Sequence, residues 1–132
     1  MIYIQGIGID KIANLRAFDI VKDKYKFDKI VFVCSKDSID YIPKEAKPND
    51  IIIIEDENNI KEIIDKLVQR FNNVNDDFIV NITTGTKAIV SALTLFSYIK
   101  NGKIIYIGGK REGEKVITGS ERIYEYDIRQ IK

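Results

Sequence analysis

The sequence predicts an α/β fold with a doubly wound, mostly parallel sheet and a C-terminal β-hairpin. Continuous apolar runs of strand length alternate with stretches in which apolar residues recur at helical spacing, which is typical of strands joined by crossover helices. The end of the chain changes to short alternating segments, and Gly119-Ser120 predicts a hairpin between Lys115–Thr118 and Arg122–Asp127. With 132 residues and neither a linker nor a repeat, we expect a single domain over residues 1–132.

The first half of the chain supplies three strands and two helical segments. The predicted strands are Met1–Gln5, Lys29–Cys34 and Asp50–Glu55. The third strand is a continuous apolar run, and this lack of alternation predicts a strand covered on both faces. A moderately amphipathic helix is expected over Lys11–Tyr25, and the polar turn Ser35–Ser38 is expected to begin a short helix through Tyr41.

The second half has the clearest helical period. Apolar residues from Ile60 to Phe71 recur about every 3.6 residues, and Asp56–Asn58 precede them with residue types that cap helices. The next elements are a strand over Phe78–Ile82, a helix over Ala88–Lys100 and a strand over Lys103–Ile107. Asn101-Gly102 is the expected stop signal of that helix.

The polar turn Thr83-Thr84-Gly85-Thr86-Lys87 is the stretch most informative about function. A strand, a Gly/Thr turn and a helix N-terminus in this order expose free N–H groups at the positive end of the helix dipole, where anions bind. Lys87 would be unfavourable there by about 0.3–1 kcal/mol unless an anion is bound. A Thr-capped helix with a solvated lysine explains the same residues, so both interpretations remain open at this point.

Four polar turns are expected to gather at one edge of the sheet, because ligands of doubly wound sheets bind beyond the carboxyl ends of the strands. These turns are Gly6–Asp10, Ser35–Ser38, Thr83–Lys87 and Gly108–Arg111. Their hydroxyls, glycines and cations suit phosphate or ribose better than an apolar ligand. Gly6-Ile7-Gly8 lacks the third glycine of the dinucleotide fingerprint, because Lys11 occupies that position, and a P-loop motif is absent as well.

Composition narrows the function classes further. Twenty-one basic and 20 acidic residues give a net charge of +1, which argues against binding of long nucleic acid. The absence of histidine argues against histidine-based nucleases, Ser-His-Asp hydrolases and most zinc sites, so we expect neither a metal nor a cofactor. Cys34 is the single cysteine and allows no internal disulfide. No apolar run approaches the roughly 18 residues of a membrane span, and the sequence is predicted to be cytoplasmic.

The segment Asn81-Ile-Thr-Thr-Gly-Thr-Lys87, on a strand-to-helix turn before a long apolar helix, resembles the CRISPR-associated Rossmann fold (CARF) family. The order of strands and helices and the closing hairpin are similar to CARF domains over nearly the whole chain. The resemblance implies a Rossmann-like sheet and a two-fold homodimer that binds a cyclic oligoadenylate across its interface. It implies a sensor of type III CRISPR antiviral signalling that controls an effector, with cyclic tetra-adenylate a better match than cyclic hexa-adenylate.

The resemblance also assigns roles to residues at the predicted edge. The predicted ligand-binding residues are Gly6, Ile7, Gly8, Asp10, Ser35, Thr83, Thr84, Gly85, Thr86, Lys87 and Lys110. Some CARF proteins cut the ring without a metal, by attack of a ribose 2′-hydroxyl on the adjacent phosphate. For that reaction the candidates are Lys87 as electrostatic stabiliser and Thr84 or Ser35 as the residue that positions the hydroxyl.

Three functions are therefore compatible with the sequence: a sensor, a metal-independent ring nuclease acting on the same ring, or an unrelated nucleotide or sugar-phosphate binder. The third predicts a monomer, or a dimer whose pocket does not cross the two-fold axis. The Ala88–Lys100 helix favours a dimer, because Val90, Leu95 and Tyr98 lie off its main apolar stripe and need cover. Residues after the hairpin are too few for an effector domain, so the chain is expected to be a free-standing protein or the sensor part of a longer one.

Overall fold

A computed structural model describes residues 1–132 as a six-stranded sheet with helices on both faces and a separate two-stranded hairpin. The strands are β1 (Ile2–Gly6), β2 (Lys29–Ser35), β3 (Asp50–Ile54), β4 (Phe78–Asn81), β5 (Lys103–Gly108), β6 (Arg111–Glu112), β7 (Lys115–Val116) and β8 (Arg122–Asp127). The α-helices are α1 (Lys11–Lys22), α2 (Ile60–Arg70), α3 (Lys87–Lys100) and α4 (Ile128–Ile131). Two 3₁₀-helices, Lys36–Tyr41 and Lys44–Ala46, lie between β2 and β3.

The sheet confirms the predicted doubly wound architecture. Its strand order is β3-β2-β1-β4-β5-β8, with β1 to β5 parallel and β8 antiparallel to β5. The chain moves from β1 to β2 and β3 in one direction and then returns to β4 on the other side of β1. The topological switch point therefore lies between β1 and β4, which is where such sheets leave a crevice for ligands.

Each face of the sheet has its own apolar core. One core packs α2 and α3 against β1 to β4 through side chains such as Ile63, Leu67 and Phe96, which are fully buried. The other packs α1 and the segment between β2 and β3 through Phe18 and Val21. Burying each such side chain contributes about 1.5–3 kcal/mol, so both cores hold the strands in register.

The helices begin where capping side chains allow, as expected from the sequence. Asp10 accepts a hydrogen bond from the N–H of Ala13 at the start of α1, and Thr86 caps α3 in the same way. The predicted cap of α2 at Asp56–Asn58 was wrong by one residue, because Asn59 supplies the capping oxygen. The helix over Lys11–Tyr25 is also shorter than predicted and ends at Lys22.

The strand β3 departs from prediction, since it is an edge strand and not one covered on both faces. No strand pairs with its outer side, and Ile53 is 42% exposed in spite of the continuous apolar run. The side chain of Lys66 reaches this edge, where its ammonium donates to the carbonyl of Ile53 at 2.8 Å. Arg70 forms an ion pair with Asp50 beside it.

A C-terminal antiparallel hairpin is present, but its strands differ from the predicted ones. The hairpin joins β6 to β7 around Gly113, with Arg111 opposite Val116. Residues Arg122–Asp127 instead form β8, which pairs with β5 at the edge of the main sheet. The alternating pattern of this segment reflects one half-buried and one exposed face on the sheet edge, and not a second hairpin arm. None of the helices is long and apolar enough to cross a membrane.

Candidate ligand-binding site

Three of the predicted turns leave adjacent strands at the same edge of the sheet. The turns Ser35–Ser38, Gly6–Asp10 and Thr83–Lys87 follow β2, β1 and β4, which are neighbours in that order. The last two come into close contact, since a Cβ atom added to Gly8 would lie 3.2 Å from the backbone nitrogen of Gly85. The turns after β1 and β4 therefore line the switch point together.

The turn after β4 presents a run of backbone donors. The N–H groups of Thr84, Gly85 and Thr86 donate no hydrogen bond within the protein. Those of Lys87 and Ala88 lie in the first turn of α3, where the helix has no carbonyl to accept them. Gly85 adopts φ +121°, a conformation that residues with a Cβ avoid. Free N–H groups at the N-terminus of a 14-residue helix are an arrangement that binds anions in many proteins.

Lys87 is the positively charged residue next to these N–H groups. Its side chain is exposed at the first residue of α3, and it takes part in none of the salt bridges of the chain. An unpaired ammonium group at the positive end of a helix is unfavourable in the absence of an anion. Lys87 thus begins α3 directly after the residues with free N–H groups, and its role in binding a ligand stays a prediction.

The three threonine hydroxyls of the turn are directed into the protein. The hydroxyl of Thr83 donates to Asn81 Oδ1 at 2.6 Å and accepts from the N–H of Ile107 at 2.9 Å. The hydroxyl of Thr84 donates to the carbonyl of Gly6 at 2.6 Å, and that of Thr86 donates to the carbonyl of Glu57 at 2.8 Å. These hydroxyls tie the turn to its neighbours, and none of them accepts from the N–H groups of Thr84, Gly85 or Thr86.

Buried amide side chains that the sequence analysis missed support the turns from below. Gln5 Nε2 donates to the carbonyl of Asn14 at 3.0 Å and to Thr84 Oγ1 at 3.1 Å. Asn14, on α1, bonds both polar groups of the Gly8 backbone. The only sequence signal for Gln5 is a polar residue at the end of the predicted strand Met1–Gln5, and such a residue looks like an ordinary strand end.

The phenol of Tyr3 fixes how these amides are oriented. It is fully buried, and burial raises the pKa of Tyr3 far above its usual value although the hydrogen bond from Asn81 opposes this shift. The phenol therefore remains protonated and donates to Gln5 Oε1, while it accepts from Asn81 Nδ2 at 2.9 Å. Because Gln5 Oε1 accepts from the phenol, the NH₂ group of Gln5 is the end that faces α1 and Thr84.

The remaining predicted residues of these turns lie at the same edge of the sheet, and the side chains of Asp10 and Ser35 already form hydrogen bonds within the protein. The carboxylate of Asp10 is exposed and caps α1. The buried Ser35 hydroxyl donates to Ser38 Oγ at 3.3 Å. Gly6 and Ile7 are buried, and a Cβ atom on Gly6 would come within 2.7 Å of the carbonyl oxygen of Thr84. Gly6 and Ile7 thus contribute packing and backbone geometry at the base of the crevice.

The fourth turn, Gly108–Arg111, leads away into the hairpin. Lys110 is exposed, and its N–H donates to Ser120 Oγ at 3.0 Å. A cavity of about 1050 Å³ is lined by α1, the end of β5, the hairpin and β8. Of the predicted site residues it includes Asp10 and Thr83 but neither Lys87 nor Gly85. The residues with free N–H groups, Thr84–Thr86, and the unpaired Lys87 lie outside this cavity, at the switch point.

A mostly parallel sheet with its switch point between β1 and β4 defines this protein as a Rossmann-like domain. Residues 9–131 match the family model described as the Card1 CARF domain. The match spans most of the chain, so the chain belongs to the Card1 CARF domain family. No curated protein sequence matches it.

Two solved structures illustrate the shared fold. Enterococcus italicus Csm6 bound to cyclic hexa-2'-fluoro-hexa-dAMP is similar with a TM-score of 0.65 and 16% identity, over 98% of this chain and 42% of that one. Can2 from Sulfobacillus thermosulfidooxidans in complex with cyclic tetra-adenylate (cA4) is similar with a TM-score of 0.56 and 16% identity, over 81% of this chain and 32% of that one. The chain thus spans less than half the length of either protein.

Proposed function

We propose that this chain is a cyclic oligoadenylate sensor domain of type III CRISPR antiviral signalling. The observation that carries the proposal is the run of free backbone donors from Thr84 to Ala88 beside the unpaired Lys87. Phosphates of a small ring can be held by such donors without the broad positive surface that long nucleic acid needs, which agrees with the net charge of +1. Family membership and the ring ligands of Can2 and Csm6 support this choice of ligand.

The sensor acts as a homodimer, and α3 supplies the contact. An exposed stripe runs along this helix at helical spacing, from Lys87 through Ser91 and Leu95 to Tyr98 and Ile99. Leu95, Tyr98 and Ile99 are each about half exposed, at 49%, 52% and 53%. In the dimer proposed here the two α3 helices run parallel, because only that direction brings both Lys87 residues, which begin the stripe, near one two-fold axis. A ring bound there meets both subunits.

Binding, and not cleavage, is the proposed primary activity. A ring-cutting reaction needs a group that positions or deprotonates the ribose 2′-hydroxyl. The hydroxyls of Thr84 and Ser35 are engaged inside the protein, and the chain contains no histidine. Lys87 remains able to stabilise negative charge on a phosphate, so slow cleavage is the alternative that the experiment must address.

The deciding experiment is titration of the purified protein with cyclic tetra-adenylate and cyclic hexa-adenylate in excess chelator, with AMP and linear tetra-adenylate as controls. Chromatography of the same samples then measures turnover. We expect one intact ring per dimer, with cyclic tetra-adenylate the tighter ligand. Conversion to linear adenylates would identify a ring nuclease, and binding of AMP alone would identify an unrelated nucleotide binder. Binding of none of these would contradict the proposal.

The dimer is tested separately by sedimentation equilibrium of Leu95→Glu. A carboxylate in the centre of the α3 stripe should convert the dimer to a monomer and abolish ring binding. Ile60→Glu is the matched control, because Ile60 is an exposed apolar residue, 39% accessible, at the start of α2. A variant that remains dimeric with Glu at position 95 would exclude this face as the interface.

A further inference from the structure

The buried amides of Gln5 and Asn14 connect turns that are far apart in sequence. Asn14 Nδ2 donates to the carbonyl of Gly8 at 2.9 Å and to the carbonyl of Tyr41 at 3.1 Å. Asn14 Oδ1 accepts from the N–H of Gly8 at 3.1 Å. The side chain thus pairs with the Gly8 backbone as a neighbouring strand would and also holds the end of the 3₁₀-helix after β2.

Gln5 extends this arrangement to the third turn. Its NH₂ group joins the backbone of Asn14 to the hydroxyl of Thr84, whose own proton goes to the carbonyl of Gly6. The turns after β1 and β4 and the end of the 3₁₀-helix after β2 are therefore linked through two side chains. Both are fully buried, and the chain has no buried side-chain nitrogen or oxygen without a hydrogen-bond partner.

A buried polar network is costly unless every member is satisfied, and apolar residues would fill the same space at lower cost. This network lies directly beneath the crevice, where it fixes backbone positions and not side chains that face the ligand. Turn backbone is the part of the molecule that presents the free N–H groups. Small displacements of such donors weaken charge-assisted hydrogen bonds steeply, because those bonds depend on distance and angle.

We infer that Gln5 and Asn14 are positioning residues, which lock the turns after β1 and β4 and the end of the 3₁₀-helix after β2, so that the free backbone donors of the turn after β4 are held in place for one anionic ligand. Neither side chain contacts the ligand. The inference rests on the proposed function for the identity of the ligand, but the locking of the turns can be measured without any ligand.

The test compares Asn14→Ala and Gln5→Met with Ser97→Ala. Ser97 is also fully buried and polar, but its hydroxyl bonds only the Leu93 carbonyl within α3, at 3.0 Å. Amide hydrogen exchange and glycine cross-peaks are recorded by NMR in the free proteins. Cyclic tetra-adenylate affinity is then measured at a temperature equally far below each melting point.

In Asn14→Ala we expect exchange of the Gly8 amide to accelerate at least ten-fold and the Gly85 cross-peak to shift, while Gly102, Gly113 and Gly119 do not move. Gln5→Met should shift the cross-peaks of Gly6 and Gly85. Both variants should bind cyclic tetra-adenylate at least ten-fold more weakly than Ser97→Ala.

Two results would overturn the inference. One is unchanged glycine signals in both variants, and the other is an affinity loss in Ser97→Ala equal to theirs. If the wild-type protein binds no ring, the proposed function fails, but the glycine signals still decide whether these amides lock the turns.

Discussion

The turn after β4 and the segment after β5 leave the same edge of the sheet but are built in opposite ways. Thr83–Lys87 is held by hydrogen bonds of its threonine hydroxyls to neighbouring elements, while the N–H groups of Thr84–Thr86 stay free. Residues 109–119 are all exposed, and their hairpin is held by short strands and by Ser120. The first region can keep donors in fixed positions, whereas the second can move without disturbing the core.

Three pairs of matched residues turn this comparison into measurements. Each pair has one residue in the first region and one in the second. The glycines Gly6 and Gly109 are both closely packed, and the lysines Lys87 and Lys110 are both exposed. The hydroxyls of Thr83 and Ser120 both accept a hydrogen bond from a backbone N–H. In each pair we expect the larger effect in the first region.

The glycine pair should give the largest effect. A Cβ atom on Gly6 would lie 2.7 Å from both the Thr84 carbonyl oxygen and Ile89 Cγ2, which are buried and cannot withdraw. We expect Gly6→Ala to lower the free energy of unfolding by about 3 kcal/mol. In Gly109→Ala the new atom would meet Val116 and Ser120 side chains that are able to turn away. Urea denaturation measures both, and equal losses would contradict the comparison.

The lysine pair comes next. Lys87→Ala should weaken binding of cyclic tetra-adenylate by about 10- to 100-fold, since a hydrogen bond to a charged group contributes about 1.5–3 kcal/mol. Its fold should be intact, because the side chain is exposed. Lys110→Ala should change affinity less than three-fold. Calorimetric titration checks both variants, and an unchanged affinity in Lys87→Ala would remove Lys87 from the site.

The hydroxyl pair should give a smaller difference. Thr83→Val leaves the N–H of Ile107 and Asn81 Oδ1 with one partner fewer in a partly buried site, which should lower the free energy of unfolding by about 1–2 kcal/mol. Ser120→Ala exposes the N–H of Lys110 to water, so we expect a loss within about 0.5 kcal/mol. Thermal unfolding of both proteins in one buffer provides the measurement, and a larger loss in Ser120→Ala would reverse the conclusion.

The attachment of β8 to the segment after α1 should give the smallest effect. Burial alone would raise the pKa of Glu125, but hydrogen bonds from Lys24 and Tyr25 outweigh it and hold the pKa below the usual 4.5. This stabilisation is complete above pH 4.5 and is lost as the pH falls through the lower, folded-state value.

Glu125→Gln should therefore be less stable than the wild type at pH 6, by less than about 1 kcal/mol because the ion pairs are partly exposed. The difference should shrink towards pH 3 in denaturant titrations. Asp65→Asn, which removes an exposed ion pair on α2, is the control. A difference that grows on acidification would have the wrong sign.

The sequence predicted the turns well and their supports poorly. Thr83–Lys87 could be located because a strand and a helix of clear periodicity bracket it, and caps and glycines are local signals. Gln5 and Asn14 could not be found, because their importance depends on how α1 crosses β1, which no local pattern encodes. The pairing of β8 with β5 was missed for the same reason, since an alternating segment fits a hairpin arm and an edge strand equally well.

Lys66, whose side chain reaches the open edge of β3, restricts how copies of this chain can associate. An open strand edge is a template on which another chain can add a strand, and apolar edges such as the Ile51–Ile54 run are prone to aggregation. By occupying the Ile53 carbonyl and placing a charge there, Lys66 obstructs that route. Growth of the sheet into a continuous ribbon or fibril is therefore disfavoured at this edge. Association through other surfaces, which gives closed oligomers such as dimers, is favoured instead.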